Sequence, residues 1–167
     1  MSIYLVAGGA RSGKSRKGEE LAISLAGSAK PIFIATAEAV DDEMTSRIKK
    51  HQDDRGTAFD LIEEPKNLTK VLKSLDPQAT VLVDCLTLWL SNNMFGESVD
   101  SNEFVITAAR SRTGASIFIS NEVGEGIVPM HALSRQFRDL SGIMNQEFAQ
   151  AADKVYFMKF GIAQELK

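Results

Sequence analysis

The chain of 167 residues is short of several things at once. It has one cysteine, Cys85, so no disulfide can form within it, and a reducing, cytoplasmic setting is expected. It has almost no excess charge. Its 19 Lys and Arg stand against 22 Asp and Glu, and a net charge of −3 argues against a broad basic field for nucleic acid. No apolar run approaches the roughly 20 residues needed to cross a bilayer. The opening "MSIYLVAGG" has no basic segment ahead of a long apolar core, so neither a signal peptide nor a membrane insertion is expected. Repeats, low-complexity tracts and linkers are also missing. Histidine is scarce, so any imidazole chemistry rests on His51 or His131. What is present, 44% apolar residues, suffices for one globular domain over residues 1–167 with a true core.

The apolar residues fall into short continuous runs: "IYLVA" (3–7), "PIFIATA" (31–37), "FDLIEEP" (59–65), "TVLVDCL" (80–86), "ASIFIS" (115–120) and "KVYFMKF" (154–160). Each reads as a strand; most are apolar throughout, as strands covered on both faces would be, while "FDLIEEP" reads as a strand closed by proline. Helical stretches stand between them, at 14–26, from about Asp42, at 68–75 and through "LWLSNNMF". The longest spans roughly 133–152, with apolar positions 133, 137, 140, 144, 148 and 151 at helical spacing. "IAQEL" reads as an edge strand. Alternating strands and helices predict an α/β, three-layer fold with a mostly parallel sheet. The region 97–114 gives no clear signal.

"GGARSGKS" contains G-x-x-x-x-G-K-S from Gly8 to Ser15, after a buried strand and at the start of a helix. Glycines there let consecutive N–H groups turn toward phosphate oxygens, and the helix N-terminus adds partial positive charge. In this P-loop pattern Lys14 reaches the outer phosphates and Ser15 is placed to hold Mg²⁺. A nucleoside triphosphate is therefore expected. Asp84 closes the strand "VLVD", at the sheet edge where ligands bind in such folds, and is expected to support Mg²⁺. "SNEVGEGIVP" (120–129) follows another buried strand. Its Asn121 and Glu122 touch substrate or merely begin a connecting loop, and the residues alone do not choose.

His51 lies in "DDEMTSRIKKHQDDR" (41–55), where helical spacing lines it up with Arg47 and Arg55. Two arginines beside an imidazole bind phosphate and disfavour the imidazolium, and a neutral imidazole is a nucleophile. The alternative, a solvated histidine on a polar helix, stays open on these grounds.

Taken in order along the chain, "GGARSGKS", "FIATAEAVDDEMTSRIKKHQDDR", "EEP", "VLVDCLTLWLSN", "SNEVGEGIVP", "LSRQFRDLSGIMNQEFAQAADKVYFMKFGI" and the terminal "LK" resemble one family. It is the bifunctional adenosylcobinamide kinase and adenosylcobinamide-phosphate guanylyltransferase family of cobalamin biosynthesis. The resemblance implies phosphorylation of adenosylcobinamide by ATP or GTP. Transfer of GMP from GTP to adenosylcobinamide phosphate then follows through a guanylylated histidine, whose place His51 takes. It implies nucleotide contacts at Gly8, Gly9, Ala10, Arg11, Ser12, Gly13, Lys14 and Ser15, at Ala35, Thr36 and Ala37, at Gln52, Asp53, Asp54 and Arg55, and at Glu63 and Asp84. Adenosylcobinamide and its phosphate are the expected partners, and a homo-oligomer is expected. One departure stands out: the stretch between "LSNNMF" and "ASIFIS" is shorter than is common in the family. Two rival readings are another P-loop kinase for a small hydroxyl substrate and a nucleotide-binding module without turnover.

Overall fold

The computed structural model describes residues 2–38, 57–94 and 99–167. The helix expected from Asp42 and the readings at His51, Gln52, Asp53, Asp54 and Arg55 lie outside the described residues. Within them, seven strands form one sheet: β1 (Ser2–Gly8), β2 (Ile32–Ala35), β3 (Asp60–Glu63), β4 (Val81–Asp84), β5 (Ala115–Asn121), β6 (Lys154–Lys159) and β7 (Ile162–Glu165). Their spatial order is β3-β2-β4-β5-β1-β6-β7. All neighbours run parallel except β6 and the edge strand β7, which are antiparallel. Five helices are described: α1 (Lys14–Ala26), α2 (Leu68–Ser74), α3 (Leu86–Met94), α4 (Asn102–Arg110) and α5 (Ala132–Ala151).

The apolar runs divide between two cores because successive strand residues face opposite sides. Ile3, Leu5, Val81, Val83 and Phe118 join Leu72, Trp89, Val105, Met144 and Phe148 under α2 to α5. Val6, Leu82, Ile117 and Ile119 join Ala22 of α1 on the other face. The result is the expected three-layer, mostly parallel α/β fold.

Two sequence expectations change. Residues 102–110, left without a clear signal, form α4. Ser101 caps it, its hydroxyl accepting from the Phe104 N–H at 3.3 Å, and Val105, Ala108 and Ala109 turn inward. A Ser cap followed by i, i+3, i+4 apolar spacing was the available signal. The apolar stripe of the longest helix is buried only in its second half. Met144 and Phe148 are fully buried, whereas Leu133 is 50% exposed, because the first turns of α5 extend past the core.

At the sheet end opposite Asp84, Arg112 is buried and donates to the carbonyls of Leu72 (2.7 Å), Asp76 (3.0 Å) and Ala79 (2.9 Å). It binds the end of α2 to the chain entering β4. Gly114 is required beside it, since a Cβ there would collide with the Gln78 and Ala79 carbonyls.

Candidate phosphate-binding site

β1 ends at Gly8, and the chain turns through residues 9–13 into α1. Arg11 (φ 54°) and Gly13 (φ 95°) adopt left-handed backbone, which folds the loop over the helix start. Gly8 has no room for a side chain. A Cβ would lie 2.6 Å from the Met158 carbonyl oxygen and 2.7 Å from Ser12 Oγ. The loop is fastened from both sides, as Gly161 N–H donates to the Ser12 carbonyl (3.1 Å) and Glu122 N–H to the Gly8 carbonyl (3.0 Å).

No side chain caps α1, and its first turn holds no acid. Its leading N–H groups therefore present an anion-binding end. Ser12 Oγ, within the loop, is buried and has no hydrogen-bond partner among the described residues. Lys14 Nζ folds back to donate to the Gly9 carbonyl at 3.2 Å. Burial pulls the Lys14 pKa below the ordinary lysine value, while the nearby Asp84 and Cys85 oppose this. Ser15 follows in the first helical turn. Ala10 and Arg11 are exposed at the rim.

Asp84 ends β4, which β5 separates from β1. Two strand spacings amount to about 10 Å between those strand axes. The Asp84 position depends on Thr36. The buried Thr36 hydroxyl accepts from Cys85 N–H (2.7 Å) and donates to the Cys85 carbonyl (2.8 Å). Thr36 N–H also donates to the Asp84 carbonyl (3.2 Å). Asn92 of α3 completes the clamp by donating to the carbonyls of Thr36 (2.8 Å) and Pro65 (3.0 Å). Asp84 and Cys85 are joined by a cis peptide bond. Burial first, and then the Asp84 charge, push the Cys85 thiol up to about 11.

The structure thus brings Gly8 to Ser15, Thr36 and Asp84 to the carboxyl edge of the sheet. Register pairs Ala35 with both Asp84 and Glu63, so those three stand in one row, with the exposed Glu63 farthest from the loop. Ala37 lies half-buried just beyond Thr36. Asn92 was not among the predicted site residues, and Asn121 at the end of β5 was left open between substrate contact and connecting loop. Asn92 sits within a predicted helix, and only its hydrogen bonds to the segments that follow β2 and β3 reveal what it holds.

Strand, glycine-rich loop and helix with an acid two strands away define a P-loop nucleotide-binding α/β protein. Solved structures agree on the fold alone: the flagellar accessory protein FlaH of Methanocaldococcus jannaschii superposes at a TM-score of 0.55 with 14% identity, over 99% of this chain and 78% of that one. The family model "Cobinamide kinase / cobinamide phosphate guanyltransferase" matches residues 4–166, and the chain belongs to that family. It is 36% identical to the bifunctional adenosylcobalamin biosynthesis protein CobU of Salmonella typhimurium, over 99% of both chains. It is 39% identical to the bifunctional adenosylcobalamin biosynthesis protein CobP of Pseudomonas aeruginosa, over 98% of this chain and 96% of that one. The Salmonella alignment runs to 183 residues against 167 here, so that relative carries residues this chain lacks.

Proposed function

We propose that this chain catalyses both steps of its family at the Gly8–Ser15 loop. In the first, the hydroxyl of adenosylcobinamide attacks the terminal phosphorus of ATP or GTP. The bond to the bridging oxygen breaks, the nucleoside diphosphate leaves and the hydroxyl proton passes to solvent. In the second, an imidazole nitrogen of His51 attacks the α-phosphorus of GTP and pyrophosphate leaves. A phosphate oxygen of adenosylcobinamide phosphate then displaces the histidine, giving adenosylcobinamide-GDP. The observation that carries this reading is the half-buried Lys14 ammonium at the open end of α1, near enough to Asp84 for the two charges to interact.

Each residue has a task. The loop N–H groups and Ser12 Oγ donate to phosphate oxygens, which would satisfy that buried hydroxyl. Lys14 leaves Gly9 for the outer phosphates and offsets the charge that develops in transfer. Among the described residues no three His, Cys, Asp or Glu side chains gather as a metal cage. The donors here are the Asp84 carboxylate and the Ser15 hydroxyl, a set suited to Mg²⁺ shared with phosphate oxygens. Asp84 and Ser15 would hold Mg²⁺ there, and it would supply neutralisation of the outer phosphates' charge. Thr36 acts by keeping Asp84 in place, with its own hydroxyl engaged by Cys85. Ala35, Ala37, Glu63 and residues 52–55 complete the proposed nucleotide contacts. The working protein is proposed to be a homo-oligomer.

The test is incubation with GTP followed by intact-mass analysis. The expected outcome is a covalent GMP adduct that survives alkali and is lost in mild acid, as a phosphoramidate is. Label at the α-phosphate is retained in it, and label at the γ-phosphate is not. His51→Ala should abolish the adduct and guanylyl transfer while sparing much of the kinase step. An adduct that persists in His51→Ala would move the nucleophile elsewhere.

A further inference from the structure

The functional reading leaves Asn121 without a role, although it ends the strand lying between the phosphate loop and Asp84. Its position is closely determined. Gly8 on β1 is its register partner, while Asp84 on β4 pairs with Ile119, two residues earlier on β5. Ile119 and Asn121 share a strand face, and Ile119 lies in the core beneath α1. Helix α1 crosses β5 at Gly18, where a Cβ would come within 2.8 Å of Ile119 Cδ1. Lys14 lies on the same helix face, one turn toward the N-terminus from Gly18. That turn is about 6 Å along the axis. From Ile119 to Asn121 the strand advances roughly 6–7 Å toward the same edge. The start of α1 with Lys14 and the end of β5 with Asn121 therefore lie at the same sheet edge, with Asp84 on the neighbouring strand.

The residue is also held firmly. Its N–H donates to Thr87 Oγ1 (2.7 Å), and its carbonyl accepts from Asn145 Nδ2 (3.3 Å). Asn145 is itself fixed by the Ser120 hydroxyl, which donates to Asn145 Oδ1 at 2.6 Å. By contrast, the Asn121 carboxamide is lightly engaged: among the described residues Nδ2 reaches the Cys85 sulfur, at 3.8 Å, and a thiol sulfur is a weak acceptor. A backbone held at both its N–H and its carbonyl thus carries a half-buried carboxamide on the strand between the phosphate-loop strand and that of Asp84.

We propose that the Asn121 carboxamide contacts substrate in the kinase step, donating to an oxygen of the terminal phosphoryl group as it transfers. The assignment rests on the phosphate-site reading above, since it needs the terminal phosphate beside Lys14. A donor there reads the third phosphate and not the first two, so it should separate nucleoside triphosphate from diphosphate.

The test compares Asn121→Ala and Asn121→Asp with wild type, with Lys14→Ala as the reference for the site. Kinase turnover is measured with saturating ATP, and calorimetry measures binding of a non-hydrolysable ATP analogue and of ADP. For Asn121→Ala, kcat and the ratio of triphosphate to diphosphate affinity should each fall about tenfold, as for loss of one hydrogen bond to a charged group. ADP affinity and the thermal midpoint should stay near wild type. Asn121→Asp keeps the shape but sets a carboxylate against the phosphate, and should fall further. If both variants keep the wild-type ratio and kcat, the assignment is overturned. A loss spread equally over ADP binding and thermal midpoint also overturns it, because it would mean a structural role only. If Lys14→Ala is inactive while Asn121→Ala matches wild type, Asn121 alone fails. If Lys14→Ala turns over normally, the phosphate site lies elsewhere and Asn121 falls with it.

Discussion

Lys14 carries its charge into a half-buried site, and the balance there sets a pH response. Burial lowers its pKa, while Asp84 and Cys85 recover only part of that shift. In the proposed phosphoryl transfer Lys14 acts as the ammonium. In the free enzyme kcat/KM for ATP should therefore fall on the alkaline side, at a pH below the ordinary lysine value of 10.5. With phosphates bound, the added negative charge raises the lysine again, so the limb in kcat should lie at higher pH than that in kcat/KM. Coincident limbs in the two profiles would show that Lys14 does not face the phosphates. Stability responds with the opposite sign to Cys85. An unfolded Lys14 keeps a proton that the folded one releases, so its contribution to stability rises with pH between the lowered value and 10.5. The Cys85 thiol, raised from 9.0 to about 11, contributes stability that is full below about pH 9 and is lost on going to about 11.

At the scale of elements, α1 and α5 differ in how they are held. Helix α1 lies close on β5 because Gly18 lets Ile119 and Leu82 approach its backbone, which keeps the anion-binding end over the sheet edge. Helix α5 is anchored through its second half. The ring of Phe148 meets that of Phe118 at 5.0 Å in an edge-to-face arrangement, and both are fully buried. Phe148→Ala should destabilise the fold by about 3–5 kcal/mol, through lost burial and the cavity left behind. Chemical denaturation measures this, and a change under about 1 kcal/mol would mean that the site collapses to fill the space. Leu133 and Phe137, in the overhanging first half, should tolerate truncation far better for folding.

Across the whole molecule the two ends of the sheet do different work. The end at Arg112 and Gly114 is closed by buried hydrogen bonds, and the end at Gly8, Asp84 and Asn121 is open. Beyond that open end the loop from Glu122 carries Ile127 (97% exposed), Val128 and Met130 (93% exposed), with Leu133 following on α5. Arg135 pins the loop by donating to the carbonyls of Pro129 (2.9 Å) and Met130 (2.7 Å), so these apolar side chains are displayed from a fixed backbone. A cluster of this kind suits a contact between copies of the chain. Sedimentation should show an oligomer for the wild type, and Ile127→Asp with Met130→Asp should shift it toward monomer with the fold retained. A wild-type monomer would refute the homo-oligomer.

The sequence by itself determined the layers and the loop. Continuous apolar runs such as "TVLVDCL", too short for a core helix, read as strands with both faces covered, and G-x-x-x-x-G-K-S between a strand and a helix is a local pattern whose backbone follows from its own glycines. Asp84 was legible for the same reason, as the acid that ends such a run. Helix α4 was locally encoded by Ser101 and its inward residues, but its signal is weak beside the longer helices. The tertiary structure alone decided the rest, because those features come from strand order and not from strand identity. Inserting β5 between β1 and β4 brings Asn121 to the edge between the phosphate-loop strand and that of Asp84, and placing β2 beside β4 lets Thr36 grip a peptide 49 positions away. Hydrogen bonds between distant segments leave no periodicity in the chain, so a threonine in "IATA" reads only as strand until its neighbour is known.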